Sequence, residues 1–314
     1  GEKMRLSLSS GPHLRAKSDT RLTMLDVLIA LLPTTAAGVY FFGWRAAMLV
    51  AVSVASCVLF EALWCALGHK KSTVGDLSAA VTGLLLGLNL PAGAPWWMPV
   101  IGGAFAILVI KQLFGGIGAN FLNPALAARA ALLSSWPAHM TTFLLPQRTL
   151  FVHTAETADA MTAATPLMTK SASYLDLFLG NVPGCIGEVC KAALLIGFLY
   201  LLVRKVICWQ IPVVMVGTVA LLSWALGEDP LQAVLSGGLL LGAIFMATDY
   251  VTSPMLAKGE CIYALGCGVI LVLIRRFGNY PEGCSYAILI MNIITPLIDK
   301  YCTHKVYGEV KRNA

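Results

Sequence analysis

The residues best suited to carry chemistry lie close together in the stretch Asp159-Ala160-Met161-Thr162-Ala163-Ala164-Thr165-Pro166-Leu167. It matches the pattern D-x-x-[ST]-x-A-T, with Thr165 as a secondary hydroxyl whose small neighbours leave it accessible. Such a hydroxyl can form a phosphoester with the phosphate of FMN while the isoalloxazine ring stays free. Thr162 and Ala164 complete the motif, and Asp159 would help a modifying enzyme recognise or activate the acceptor.

Ionisable residues inside apolar sequence form the second group, because a charge at membrane depth is costly and marks function. They are Asp26, Glu61, Asp76, Arg129, Asp249, Glu282 and Asp299, of which Arg129 is placed deepest. Asp249 sits in Phe245-Met246-Ala247-Thr248-Asp249-Tyr250-Val251-Thr252-Ser253-Pro254, a hydroxyl run suited to lining a polar pocket or an ion path. Glu282 lies beside Pro281 as Asp249 lies near Pro254, so Asp249, Glu282 and Arg129 are the ion-path candidates. The nine cysteines include no CxxC pair and are read as small packing residues, with Cys185 and Cys190 close enough in sequence to pair. Neither a metal-ligand spacing nor a G-x-x-x-x-G-K-[ST] phosphate loop occurs, and Gly115-Gly116-Ile117-Gly118 follows no strand. Those glycines suit close backbone approach or a re-entrant turn.

The elements that must position these residues follow from composition. The chain has 314 residues, 58% hydrophobic and 12% charged, with a mean hydropathy of +0.77. A soluble domain carries about 25% charged residues, so a soluble enzyme, a disordered chain and a nucleic-acid binder with a water-facing basic surface are excluded. The lipid bilayer is the expected surrounding.

Ten segments are apolar enough to be membrane helices: Met24–Phe42, Trp44–Leu67, Val74–Leu90, Trp96–Leu113, Phe121–Trp136, Val189–Val203, Ile207–Leu226, Leu231–Ala247, Cys261–Ile274 and Ser285–Ile298. Several are short, as broken helices in transporter-like folds are. With the N-terminus inside, 15 of the 22 Lys and Arg fall on the cytoplasmic side: Lys3, Arg5, Arg15, Lys17, Arg21, Lys70, Lys71, Lys111, Arg204, Lys205, Lys258, Lys300, Lys305, Lys311 and Arg312. Arg45, Arg148, Lys170, Lys191, Arg275 and Arg276 make 6 outside, and Arg129 lies within a span. The positive-inside bias therefore puts both termini in the cytoplasm.

Gly83-Leu84-Leu85-Leu86-Gly87 recurs unchanged as Gly238-Leu239-Leu240-Leu241-Gly242. After each copy come a proline-bearing polar stretch, an apolar run and Phe-Gly (Phe114-Gly115, Phe277-Gly278). An Asn/Pro helix start then closes each copy, Asn123-Pro124 and Asn292 to Pro296. Four elements in one order indicate a duplication of five helices, and an odd number inverts the second copy. The expected fold is thus an all-α polytopic membrane protein of about ten transmembrane helices in two inverted five-helix repeats. Its parts are a cytoplasmic arm (1–21), a first repeat (22–136), an extracytoplasmic loop (137–188), a second repeat (189–302) and a cytoplasmic tail (303–314). An inverted repeat alone would equally suit a channel or carrier for a small polar solute, which is the competing reading.

Nearly the whole chain resembles the RnfD component of the Rnf ion-translocating electron-transport complex and, more distantly, the NqrB component of the Na+-translocating NADH:quinone reductase. The resemblance is carried by Ser10-Gly11-Pro12-His13, by Phe114 to Pro124 (FGGIGANFLNP), by Thr162 to Leu167 and by Gly187-Glu188. Phe245-Met246-Ala247-Thr248-Asp249 and Asn279-Tyr280-Pro281-Glu282-Gly283 complete it. The family usually has Gly where Ala163 stands.

The resemblance implies a bacterial or archaeal cell-membrane flavoprotein with FMN esterified to Thr165 by a separate flavin transferase acting outside the cytoplasm. A noncovalent riboflavin is the further cofactor it suggests. Such a component relays electrons within a complex that passes them between reduced ferredoxin and NAD+ and moves Na+ or H+. Its partners would be the other Rnf subunits, with no role for nucleic acid.

Overall fold

The computed structural model describes residues 19–69, 73–146, 173–278 and 283–302. Among these the protein is all helical, with only an isolated antiparallel bridge between Pro91 and Cys185. The first half comprises α1 (Thr20–Phe42), α2 (Trp44–Leu67), α3 (Ser78–Leu88), α4 (Trp97–Ala104) and α5 (Pro124–Ser135). The second comprises α6 (Lys191–Val203), α7 (Gln210–Ala225), α8 (Leu239–Leu241), α9 (Ala257–Phe277) and α10 (Cys284–Tyr301). Each of the ten apolar segments thus contains helix, although several are interrupted. Three helices, α1, α2 and α9, are long and apolar enough to cross a membrane by themselves.

Local sequence explains the ends. Gly43 alone joins α1 to α2 at φ +70°, a conformation that strains any residue with a β-carbon. Asn123 caps α5 by accepting from the Ala125 and Leu126 amides, and Pro124 occupies the first turn, where no donor is needed. Two helices continue as π-helix, α4 through Phe105–Gln112 and α8 through Gly242–Met246. Such wide turns reset the direction in which the following side chains point.

The outer faces are as apolar as the inner ones. Leu32, Leu59, Leu63, Leu265 and Leu273 are exposed, while Leu31, Leu49, Leu86 and Leu271 are fully buried. A helix apolar all round belongs in lipid or in a large core.

Packing follows the same plan in both halves. In the first, α2 packs on α3 and α4, and α4 with its π extension packs on α5. In the second, α7 packs on α8 and α9, and α9 packs on α10. The halves meet where α1 crosses α6 and α5 crosses α10. Phe114-Gly115 follows the π extension of α4 and Phe277-Gly278 closes α9, with the Gly278 amide bonded to the Ile274 carbonyl. The last expected element of the repeat is corrected: Asn292 and Pro296 lie inside α10 rather than at its start. Pro296 withholds one donor only, and the helix continues through it.

The crossing of α1 and α6 depends on Gly197, where a β-carbon would collide with the Ala30 carbonyl oxygen and stand 2.9 Å from Phe245 Cζ. Backbone cannot yield as a flexible side chain does, so Gly197→Ala should cost about 1–3 kcal/mol. Gly217, on α7, has no atom within 4 Å of its would-be β-carbon. Gly217→Ala should be neutral or slightly stabilising. Thermal unfolding of both variants in detergent checks the contrast, and equal effects would contradict this packing.

Candidate functional site

Arg129 lies on α5 at the crossing with α10, about 4% exposed. Its Nη1 donates to Asn89 Oδ1 (3.3 Å) and Ser285 Oγ (3.0 Å), and its Nη2 stands 3.5 Å from Glu188 Oε1. The same nitrogen reaches Cys185 Sγ at 3.6 Å. Asn89 extends this network by donating to Met246 Sδ, and Asn123 donates to the Met246 carbonyl. The Asn292 amide accepts from the Asn123 amide (3.2 Å) and donates to the Tyr263 hydroxyl (2.6 Å). These bonds tie α3, α5, α8, α9 and α10 into one polar seam inside an apolar body.

Glu188 reaches the seam because the chain before α6 turns inward. Ile186 and Gly187 amides donate to the Leu90 and Leu88 carbonyls, at 3.1 and 2.8 Å, so this strap pairs with the end of α3. Gly238 makes room for it, since a β-carbon there would strike Glu188 Oε1. Lys191 is buried beside it and donates to the Glu188 and Gly237 carbonyls. Lys191, counted from sequence among the charges outside, is 2% exposed. Cys185 and Cys190 both stay thiols and form no disulfide.

A second polar cluster lies within the first half. Glu61 on α2 is fully buried and faces Lys111 Nζ at 2.8 Å. Glu61 Oε1 also accepts from Thr73 (2.7 Å) and Gln112 (3.2 Å), while Lys111 donates to Ser78 Oγ (2.6 Å). Ser78 in turn donates to Asp76 Oδ1 at 2.5 Å. Lys111 and Gln112 end the π segment of α4, whose wide turn brings consecutive residues onto one carboxylate. Lys111, counted from sequence among the cytoplasmic charges, is 3% exposed.

Between the two clusters is a partly open cavity of about 100 Å³. Val27, Val81, Leu85, Ile244 and Phe245 form apolar walls; Thr82, Asn120, Thr248 and Asp249 add polar groups. Ser78 and Lys111 also line it. Asp249 stands in the linker after α8, where burial pushes its carboxyl above the usual range, opposed by the Thr252 hydroxyl and the Val251 amide. Near it Thr248 donates to the Ile244 carbonyl and Thr252 to Asp249 Oδ2. The turn at Gly115, Gly116 and Gly118, all at positive φ, closes α4 and leads to Asn120 in the same wall.

Asp159, Thr162, Ala164, Thr165 and Glu282 lie outside the described residues. The next described stretch begins at residue 173 with a short helix, Tyr174–Leu179, whose Tyr174 hydroxyl donates to Asp229 Oδ2. This bond holds the Asp229 carboxyl below its usual range, helped by the Gln232 and Leu231 amides against desolvation, and raises the Tyr174 phenol. A depressed acid contributes above its unfolded pKa and is lost as pH falls through the folded value. A raised phenol contributes below its unfolded pKa and is lost as pH rises through the folded value. Limited proteolysis near residue 173 should therefore be slow across neutral pH and faster at both extremes. Tyr174→Phe should make it uniformly faster, and a flat profile in the unsubstituted protein would contradict the latch.

Comparison with known proteins places this arrangement. The pattern of the NQR2, RnfD, RnfE family matches residues 7–308. The chain is 50% identical to the D subunit of the Na(+)-translocating ferredoxin:NAD(+) oxidoreductase complex of Acetobacterium woodii, over 98% of this chain and 97% of that one. It is 41% identical to the D subunit of the proton-translocating ferredoxin:NAD(+) oxidoreductase complex of Clostridium ljungdahlii, over 96% of each. It is 42% identical to the D subunit of the ion-translocating oxidoreductase complex of Stutzerimonas stutzeri, over 95% and 94%.

Proposed function

The chain belongs to the NQR2, RnfD, RnfE family, and from that membership we propose that it is the RnfD component of an ion-translocating ferredoxin:NAD+ oxidoreductase complex. It acts with the other subunits as part of a redox enzyme in a membrane, and it carries FMN on Thr165. The observation behind the flavin assignment is the sequence from Asp159 to Thr165, a small-residue setting for an acceptor hydroxyl.

The remaining topology belongs to the same proposal. Ten spans form two inverted halves, with both termini in the cytoplasm and the Thr165 loop on the opposite side, where a flavin transferase meets it. The matched packing of α2, α4 and α5 with α7, α9 and α10 supports the two-fold plan.

The cavity suits a second, noncovalent flavin. In support of this reading, the lining combines apolar Val81, Leu85, Ile244 and Phe245 with polar Thr82, Asn120, Thr248 and Asp249, the mixture usual in small-molecule sites. Riboflavin is the flavin without a phosphate and would be held by these residues. A flavin supplies one-electron and two-electron redox chemistry. The protein's own part is to bind it, orient it through Asp249 and Thr248, and keep water from the apolar walls.

Mass spectrometry of the native complex tests the proposal. The peptide containing Thr165 should carry the mass of a phosphoester-linked flavin, and acid extraction should release a further free flavin. An unmodified Thr165 peptide would overturn the covalent assignment. Solute uptake by the isolated chain, without any redox partner, would favour a channel or carrier instead.

A further inference from the structure

The cavity is lined from both halves, and side chains with no role so far hold its rim together. Thr23, Met24 and Val27 of α1 form one side; Leu201 of α6 and Val206 and Ile207 of the turn after it form another. Tyr250, 56% exposed, stands beside them. The α1 and α6 backbones approach closely where Gly197 meets the Ala30 carbonyl. One helical turn from that contact, Asp26 faces Tyr200 and Arg204. The Tyr200 hydroxyl donates to Asp26 Oδ1 at 2.9 Å. Arg204 donates through Nε to Oδ1 and Oδ2 (3.2 and 3.3 Å) and through Nη2 to Oδ2 (3.1 Å). Residues four apart share a helix face, so contact and clasp lie in line along the crossing.

The two partners of the clasp are unequally exposed. The Asp26 side chain is 11% exposed and that of Arg204 53%. A half-exposed guanidinium is rehydrated as it leaves, so such a pair adds little stability and opens reversibly. Tyr200 stays behind as a donor, and the Asp26 carboxylate keeps a partner when Arg204 departs. A second tie is the Tyr250 hydroxyl, which donates to the Val206 carbonyl. The Val206 amide bonds to the Leu201 carbonyl at 3.0 Å, so the turn moves with the end of α6 as one piece.

We propose that the end of α6 and the turn from Arg204 to Trp209 form a gate over the cavity. Arg204 clasps the gate to α1, and Tyr250 clasps it to the linker after α8. Release of both lets the gate tilt from α1 about the close contact of Ala30 with Gly197, a hinge motion between packed helices. Open, the gate lets a ligand pass; closed, it retains the ligand and keeps water from the walls. That the ligand is a noncovalent flavin rests on the function proposed above, whereas the gate rests on the clasps.

Accessibility of the cavity wall is the test. In the whole complex, Thr82→Cys places a nearly isosteric thiol in that wall, and its modification by methyl methanethiosulfonate is followed by mass spectrometry of the peptide. Cys267, fully buried in α9, reports in the same sample on general loosening of the fold. Arg204→Met and Tyr250→Phe should each speed modification at position 82 about fivefold, the change in open population expected from losing one ordinary hydrogen bond. Cys267 should stay at its unsubstituted rate. Arg276→Met breaks an equally exposed pair, with Glu228, away from the cavity lining, and should move neither thiol.

No acceleration at position 82, or an equal one at Cys267, would overturn the gate. Tyr250→Phe removes a single oxygen atom and decides the matter if Arg204→Met fails to assemble. With Thr82 in place, both substitutions should also shorten retention of the noncovalent flavin during gel filtration. Acceleration at position 82 in a complex that holds no such flavin upholds the gate and overturns the flavin reading of the cavity.

Discussion

Thr165→Ala should leave an assembled complex that has lost its covalent flavin. On a denaturing gel the fluorescent band of this chain should vanish, and electron transfer from ferredoxin to NAD+ should fall to background. The reason is chemical: a methyl group cannot form a phosphoester. Thr165→Ser retains a hydroxyl and should keep part of the fluorescence. Ala163→Gly restores the residue usual in the family and should keep or increase it. Because Thr165 lies outside all ten apolar segments of the sequence, assembly of the complex should persist. Fluorescence surviving in Thr165→Ala would place the flavin elsewhere.

Arg129→Leu should be the most damaging substitution in the helical body. It strips Glu188, 2% exposed, of the guanidinium 3.5 Å away and leaves Asn89 Oδ1 and Ser285 Oγ without their shared donor. Breaking a buried ion pair from one side costs about 3–5 kcal/mol. Arg129→Lys should recover little, because one ammonium cannot serve three elements that a planar fork reaches together. Glu188→Gln should be milder, since the guanidinium retains Asn89 and Ser285. Thermal unfolding of the complex, together with Arg129→Leu/Glu188→Gln, gives the coupling energy; additive costs would show that the pair is not coupled.

Much of the helical plan was legible in the chain because hydrophobic length and glycine or proline punctuation act locally. Trp44–Leu67 was read to its ends, and Asn123-Pro124 announced the start of α5. Arg129 stood out because a lone charge within an apolar run has no water to meet. Lys111, Lys191 and Glu188 were not legible as interior groups. Each lies at the end of an apolar segment, where sequence alone favours a solvated face. What draws them inward is tertiary: a π turn for Lys111, and a strap bonded to α3 for Glu188 and Lys191. Asn292 was misread for the converse reason, since proline four residues later resembled a helix start. Tertiary packing keeps α10 intact through both.

The repeated pentapeptide shows how two similar halves can differ. In α3, a β-carbon on Gly83 would stand 2.7 Å from Val54 Cα, so that glycine is spent on bringing α2 close. Its counterpart Gly238 faces the Glu188 carboxylate, and a β-carbon on Gly242 would stand 2.5 Å from Cys284 Sγ. The same five letters therefore hold a helix in one half and admit a charge in the other. One copy of the motif thus meets backbone and the other a carboxyl group, so identical sequence does not make the two halves interchangeable.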